Sequence, residues 1–217
     1  MHKATNCTKA VEMIPDGATL MIGGFLGVGT PTRTIDELIR QGKKDLTVIA
    51  NDTGRPAVGI GKLIVAKLVK KVIVSHIGTN PETQRQIIAG ELEAVLTPQG
   101  TLAEQIRAGG YGLGGVLTAT GIGTIVADGK RVIEIDGKPY LLELPLHADF
   151  ALIAAQRSDY QGNLEYSLTA RNFNSVMAMS ADVVIAEPDH IVPVGVISPD
   201  VVVTPFCCVN YIIERSN

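Results

Sequence analysis

Between Asp16 and Pro31 the chain reads Asp-Gly-Ala-Thr-Leu-Met-Ile-Gly-Gly-Phe-Leu-Gly-Val-Gly-Thr-Pro, with four glycines in the seven residues from Gly23 to Gly29. Glycine reaches positive φ at little steric cost and lets a backbone come close to another molecule. Asp16-Gly17 predicts a turn and Ala18 to Ile22 a short buried strand. Pro31 predicts the first turn of a helix whose apolar side carries Ile35, Leu38 and Ile39. Strand, glycine loop and helix N-terminus in that order present backbone N–H groups and the positive end of a helix dipole, a setting for a phosphate, a carboxylate or a developing oxyanion. A plain βα turn without a ligand is the alternative. Two side-chain amides recur at the carboxyl ends of later predicted strands, Asn51 after Leu46 to Ala50 and Gln99 after Leu92 to Thr97. Ligands of open parallel sheets bind in the crevice beyond such ends. Uncharged donors placed there suit an oxyanion; taken singly, each amide could equally cap a loop.

Nucleotide fingerprints fit the loop poorly. The order Gly24-x-x-Gly27-x-Gly29 reverses the dinucleotide pattern, and no Lys-Ser/Thr follows as in a P-loop. Asp52, where an acidic residue could meet a ribose, keeps a nicotinamide reading open. As a whole the stretch resembles the signature of the family I coenzyme A transferases, in which an Asp-Gly pair, a spacer and three apolar residues precede Gly-Gly-Phe, three residues and Gly-x-Pro. Asp16, Gly17, Leu20 to Ile22, Gly23, Gly24, Phe25, Gly29 and Pro31 occupy those positions without departure. Ile49 to Asp52, Ser75 to Pro81, Pro98 to Leu102, Arg107 to Gly115 and Ala170 to Asn174 are similar to further stretches of that family's first subunit, so the resemblance runs from about Val11 to Ile213.

That resemblance implies transfer of coenzyme A from an acyl-CoA to a carboxylate, through a glutamate that forms an acyl-glutamyl anhydride and then a glutamyl-CoA thioester. The family's glutamate lies in a Glu-x-Gly motif of the second subunit, and no glutamate here is followed two residues later by glycine. Glu82, Glu91, Glu143 and Glu187 are therefore not expected to be the nucleophile. By the resemblance the chain is an alpha subunit completed by a beta subunit. Gly23, Gly24, Phe25, Leu26, Gly27, Val28 and Gly29 would form its CoA- and acyl-contacting loop. Gln99 would hold the thioester oxyanion, with Asn51 a second polar contact. Short-chain acids such as acetate, butyrate and acetoacetate are the implied acceptors. A dicarboxylic acceptor would want a cation near the acyl end, for which Arg33, Arg55 and Arg107 are available. Coenzyme A enters as a substrate, and no permanently bound cofactor is implied.

Composition limits the other readings. The chain has 217 residues, 46% of them apolar and 19% charged, enough for one large α/β domain over residues 1–217. A formal charge of −3 and the absence of Trp give no footprint for nucleic acid. Cys7, Cys207 and Cys208 cannot pair evenly, and with the four histidines they form no metal-ligand spacing. No signal-peptide core and no 18-residue apolar run is present, so a soluble, cytoplasmic protein without membrane attachment is expected.

Alternating strand and helix signals predict a mainly parallel, twisted α/β sheet covered by helices on both faces. Asp136-Gly137-Lys138 marks a small antiparallel hairpin added to it. Helices are predicted over about Thr5 to Met13, Pro31 to Arg40, Gly59 to Val69, Asn80 to Ala89 and Asn174 to Met179, with another that follows Pro98-Gln99-Gly100-Thr101 and runs through Arg107. Val72 to Ser75, Asp149 to Ala155, Asp182 to Ala186 and Val201 to Thr204 complete the strands. Gly109 to Gly123, with seven glycines, reads as a loop that hugs a ligand or moves. His76 reads as a hydrogen-bonded loop residue. Sugar-phosphate isomerases and aminosugar-phosphate deaminases share the family's sheet topology but need an acid–base pair where this chain has Asn51 and Gln99. A non-catalytic scaffold subunit is the third reading.

Overall fold

The computed structural model describes residues 3–214. Strand β1 (Ala4–Thr5) and helix α1 (Cys7–Glu12) lead into β2 (Thr19–Ile22), after which the chain alternates as α2 (Thr32–Gln41), β3 (Leu46–Asp52), α3 (Ile60–Val65), β4 (Val69–His76), α4 (Pro81–Ile88), β5 (Glu93–Leu96) and α5 (Gln99–Gly110). A three-stranded excursion follows, β6 (Val116–Thr118), β7 (Val132–Ile135) and β8 (Lys138–Glu143). The chain then returns as β9 (Ala148–Asp159), β10 (Leu164–Glu165), α6 (Asn174–Met177), β11 (Ala181–Val192) and β12 (Tyr211–Ile213).

The main sheet runs β1-β12-β11-β9-β2-β3-β4-β5, all parallel, with β10 antiparallel on β9. From β2 the chain winds outward through β3, β4 and β5, and from β9 it winds the other way through β11 and β12. The junction of β2 and β9 is therefore the topological switch point, whose crevice beyond the strand ends is where such sheets bind ligands. The glycine loop leaves β2 at that crevice.

Alternation along the strands divides the core into two layers. Leu20, Ile22, Val48, Ala50, Val72 and Val74 face α1, α2 and α3 through Val11, Ile35, Leu38, Leu63 and Ile64. Met21, Ile49, Ala151 and Ile153 face α5 and α6 through Leu102, Ile106 and Met177. Helices thus cover both faces, as the patterning predicts. Gly42, in the left-handed region at φ +67°, ends α2. Asn80 caps α4 by accepting from the N–H groups of Glu82 and Thr83.

The small antiparallel addition is present: the hairpin of β7 and β8 joins β6 in a sheet of its own, order β6-β8-β7. Three expectations change. The stretch from Gly109 to Gly123 is not one loop: Gly109 and Gly110 end α5, and Val116–Thr118 is β6. Close packing explains the first of these glycines, because a Cβ on Gly109 would lie 2.1 Å from the carbonyl oxygen of Leu146 and 2.4 Å from Oγ of Ser180. Val201 to Thr204 is not a strand. Bracketed by Pro199 and Pro205, it contributes one bridge from Thr204 to Leu164. Conversely β11 runs past Pro188 to Val192, because β12 ends opposite Ala186 and leaves β11 an edge where proline is tolerated.

Candidate active site

Beyond β2, Phe25 and Val28 exchange both backbone hydrogen bonds (3.0 and 2.9 Å), which closes a two-residue hairpin at Leu26 and Gly27. Both central residues have positive φ, +48° and +93°, as such turns require. For Leu26 that conformation costs about 1–2 kcal/mol. Arg55 and Val58 bridge each other in the same sense beyond β3, and the two turns pack together: a Cβ on Gly27 would lie 2.6 Å from Cγ1 of Val58.

The first turn is clamped from far along the chain. Asn172 accepts from the N–H of Gly24 (3.1 Å) and donates to the carbonyl of Val28 (2.9 Å). Asn174, fully buried, donates to the carbonyls of Gly29 (2.9 Å) and Ala170 (2.8 Å) and accepts from the N–H of Ala154 on β9 (3.0 Å). On the other side the carboxylate of Asp52 accepts from the N–H of Leu26 at 2.9 Å. Protein acceptors thus take the N–H groups of Gly23, Gly24, Phe25, Leu26 and Val28. Gly27 and Gly29, whose N–H groups have no such acceptor among the described residues, line a cavity of about 350 Å³ with Arg33, Gln156 and Ser167.

The N-terminus of α2 is not an open anion site. Pro31 supplies no side-chain cap, and Glu187 from β11 fills the place: its carboxylate accepts from the N–H groups of Arg33 (3.0 Å) and Thr34 (2.7 Å) and from Oγ1 of Thr34 (2.7 Å). The charge of Glu187 meets the positive end of the helix dipole. Truncation in Glu187→Ala strands those donors and is expected to lower stability by about 1–3 kcal/mol, with Glu187→Gln between that variant and the parent. Thermal unfolding checks this, and a Glu187→Ala protein that melts with the parent would remove the capping role.

Gln99 and Asn51 are brought together. Gln99 is the first residue of α5, and its Nε2 donates to Oδ1 of Asn51 at 2.6 Å. Asn51, 1% exposed, also accepts from Oγ of Ser75 (3.2 Å) and donates to Oδ2 of Asp52 (2.7 Å). Its amide is therefore engaged inside the protein and holds Gln99. Gln99 itself is exposed and lines a cavity of about 280 Å³ with Phe25, Ala103, Phe173, Val176 and Arg107. That cavity is apolar along Phe25, Phe173 and Val176, with the amides of Gln99 and Asn172 and the guanidinium of Arg107 on its wall. Leu26 and Val28 stand at the turn's tip, 40% and 50% exposed.

Asp52 does not await a ribose. It is 4% exposed, and its oxygens accept from Leu26, Asn51 and the N–H of Gly54 (2.7 Å). With Asp52 engaged, the nicotinamide reading loses its ribose ligand and the sugar-phosphate reading has no strand-end base. His76 ends β4 exposed. Of the three arginines considered, Arg33 donates to the carbonyls of Glu214 and Pro188, whereas Arg107 shares the cavity of Gln99 and pairs with Glu104 at 3.0 Å.

The sequence matches the Coenzyme A transferase family over residues 4–215. The chain belongs to that family. It is 57% identical over 204 residues to the acetate CoA-transferase subunit alpha of Escherichia coli (strain K12), covering 94% of this chain and 93% of the relative. It is 52% identical over 200 residues to the acetoacetyl-CoA:acetate/butyrate CoA transferase alpha subunit of Clostridium acetobutylicum, covering 92% of each. Its fold matches that of an acyl-CoA transferase from Escherichia coli O157:H7, solved as a thioester complex with CoA, with a TM-score of 0.87 at 24% identity. This likeness covers 99% of the present chain and 47% of the other, so the chain spans about half that length.

In this CoA transferase chain the four glutamates considered as nucleophiles are all engaged. Glu187 caps α2. Glu143, 2% exposed, accepts from Lys130 (2.6 Å) and Gln105 (3.0 Å). Glu82 and Glu91 flank Arg85, whose hydrogen bonds hold both carboxyls down to about 2. Asn172 and Asn174, which clamp the loop, belong to a stretch that carries the family resemblance, but nothing in their spacing tells what they hold. Among the described residues no helix is long and apolar enough to cross a membrane.

Proposed function

We propose that this chain is the alpha subunit of a two-subunit CoA transferase, which moves CoA from a short acyl-CoA such as acetoacetyl-CoA or butyryl-CoA to acetate or a similar acid. The observation that carries the reading is Gln99: an exposed amide, pinned at one N–H by Asn51, on the wall of an apolar cavity beside the glycine turn. The names of the relatives support the substrate class and the subunit role.

The second N–H of Gln99 donates to the thioester oxygen as negative charge develops there, while a glutamate carboxylate of the beta subunit attacks the carbonyl carbon. CoA leaves as thiolate, giving an acyl-glutamyl anhydride. The thiolate then attacks the glutamyl carbonyl, releasing the acid and leaving a glutamyl-CoA thioester, and the acceptor acid reverses the steps. Exclusion of water protects the anhydride, a task for Phe25 and Phe173 in the cavity and for Leu26 and Val28 at the tip. Gly23 to Gly29 form the surface against which CoA and acyl group lie, with the N–H groups of Gly27 and Gly29 directed to ligand carbonyls. Asn51 acts through Gln99. The chain works as one domain, in the cytoplasm, with coenzyme A as substrate and no resident cofactor, and it takes no part in nucleic-acid binding.

The test is acetyl-CoA formation from acetoacetyl-CoA and acetate, comparing the purified chain with the same chain co-expressed with its beta subunit. Turnover is expected only in the mixture. Activity of the lone chain would place the nucleophile here and overturn the assignment of roles.

A further inference from the structure

The carboxylate of Asp52 links parts of the site that are otherwise separate. Its Oδ2 accepts from the N–H of Leu26 at the tip of the glycine turn (2.9 Å) and from Nδ2 of Asn51 (2.7 Å), and its Oδ1 accepts from the N–H of Gly54 at the base of the neighbouring turn (2.7 Å). One bond further, Oδ1 of Asn51 accepts from Gln99 at 2.6 Å. Leu26 is held at φ +48°, a conformation that a leucine does not adopt unaided, and its N–H bond to Asp52 pins the tip in it. Asn172 and Asn174 fix Gly24, Val28 and Gly29 from the opposite side, and among the described residues neither hydrogen-bonds to Gln99 or Asn51.

We propose that Asp52 is a positioning residue for the transfer reaction: its buried carboxylate sets the distance between the glycine turn and the Gln99 amide, so that the acyl-CoA held by the first presents its carbonyl to the second. The proposal rests on the oxyanion role given to Gln99. Three N–H donors converge on two carboxylate oxygens, which an amide cannot accept in full. In Asp52→Asn one oxygen becomes an NH₂ group, which faces either Leu26 and Asn51 or Gly54 donor to donor. With the NH₂ toward Leu26 and Asn51, the turn tip and the Asn51–Gln99 pair are released from their register; with it toward Gly54, the neighbouring turn that packs against Gly27 through Val58 is released instead. Displacements of about 1 Å in a positioned site cost on the order of 100-fold in rate.

The experiment is a double-mutant cycle on the alpha–beta holoenzyme, with Asp52→Asn, Gln99→Ala and both together, assayed for kcat and for KM toward acyl-CoA. The result expected is a loss on the order of 10- to 100-fold in kcat for Asp52→Asn with a smaller change in KM. Added to Gln99→Ala, the same change should cost no more than about 2-fold, because partners in one network do not act additively. Near-normal kcat in Asp52→Asn, with Gln99→Ala impaired, would overturn the role of Asp52 alone. Full additivity would also overturn it, since Asp52 would then not act through Gln99. Near-normal kcat in Gln99→Ala would instead overturn the oxyanion reading on which the proposal stands. Should Asp52→Asn fail to assemble with the beta subunit, Asp52→Ser takes its place. Its hydroxyl still accepts from Gly54 two residues on, as serine does in turns, but cannot span to Leu26 and Asn51, and the same outcomes decide.

Discussion

Replacing Gln99 with alanine is expected to lower kcat of the assembled enzyme by about 100- to 1,000-fold, on the order of 3 to 4 kcal/mol of transition-state stabilisation, while leaving the protein folded. The two halves of that expectation have separate grounds. Loss of rate follows from the proposed oxyanion role, in which Gln99 donates to a developing charge and so stabilises the transition state more than the neutral thioester. Retention of the fold follows from the position: Gln99 is exposed at the first residue of α5, and among the described residues its side chain bonds to Asn51 alone. Losing that bond costs about 0.5–1.5 kcal/mol, and Oγ of Ser75 remains as a donor to Oδ1 of Asn51 at 3.2 Å. Steady-state kinetics with acetoacetyl-CoA and acetate, beside a thermal melt, check both halves. Turnover within a few-fold of the parent would remove Gln99 from the oxyanion role.

Gly23→Ala is expected to be strongly damaging for the addition of a single methyl. A Cβ there would lie 1.8 Å from Oδ1 and 2.5 Å from Cγ of Asn174, a side chain that is fully buried and bonded to Gly29, Ala170 and Ala154. Gly23 cannot retreat freely, because its own N–H is held by the carbonyl of Leu152 at 3.0 Å. Asn174 must move, and overpacking of about 1–3 kcal/mol is then joined by about 1–3 kcal/mol for buried groups left unpaired. At roughly 2–4 °C per kcal/mol for a chain of this size, the melting temperature should fall by about 10 °C. Activity should fall too, because Asn174 ties the glycine turn to β9. The mechanism has its own signature: in an Asn174→Ala background the methyl finds space, and the second substitution should add little. Gly100→Ala is the contrasting case, since nothing lies within 4 Å of its Cβ position in the first turn of α5. It is expected to hold or raise stability by up to about 1 kcal/mol. A Gly23→Ala protein melting within about 2 °C of the parent would show that Asn174 yields at no cost and would remove the clamp from the account.

Much of the architecture could be read before any coordinates, because it rests on short-range regularities. Apolar runs of four to seven residues alternating with helical spacing indicate parallel strands with crossover helices, and Leu20, Met21 and Ile22 point to opposite core layers because side chains alternate along a strand. Gly42 and Asn80 mark helix ends through their own backbone and side-chain chemistry. The spacing from Asp16 to Pro31 carries the family, and the absence of a Glu-x-Gly motif points to a nucleophile on another chain. The strand-end positions of Asn51 and Gln99 were legible for the same reason.

Which groups those residues meet was decided by the tertiary structure alone. Glu187 lies 154 residues from Arg33, whose N–H it caps, and Asn172 lies 148 residues from Gly24. Neither partner leaves a trace in local periodicity. The helix end that looked open to an anion is closed by the protein's own carboxylate, and the acid that looked like a ribose ligand accepts three internal N–H groups. Gln99 and Asn51, 48 residues apart, become one hydrogen-bonded pair only when β3 and the start of α5 lie side by side. A sequence states which donors and acceptors a chain carries. The fold decides which of them satisfy each other and which remain for a substrate, because burial requires that almost every polar group left inside find a partner, however distant along the chain.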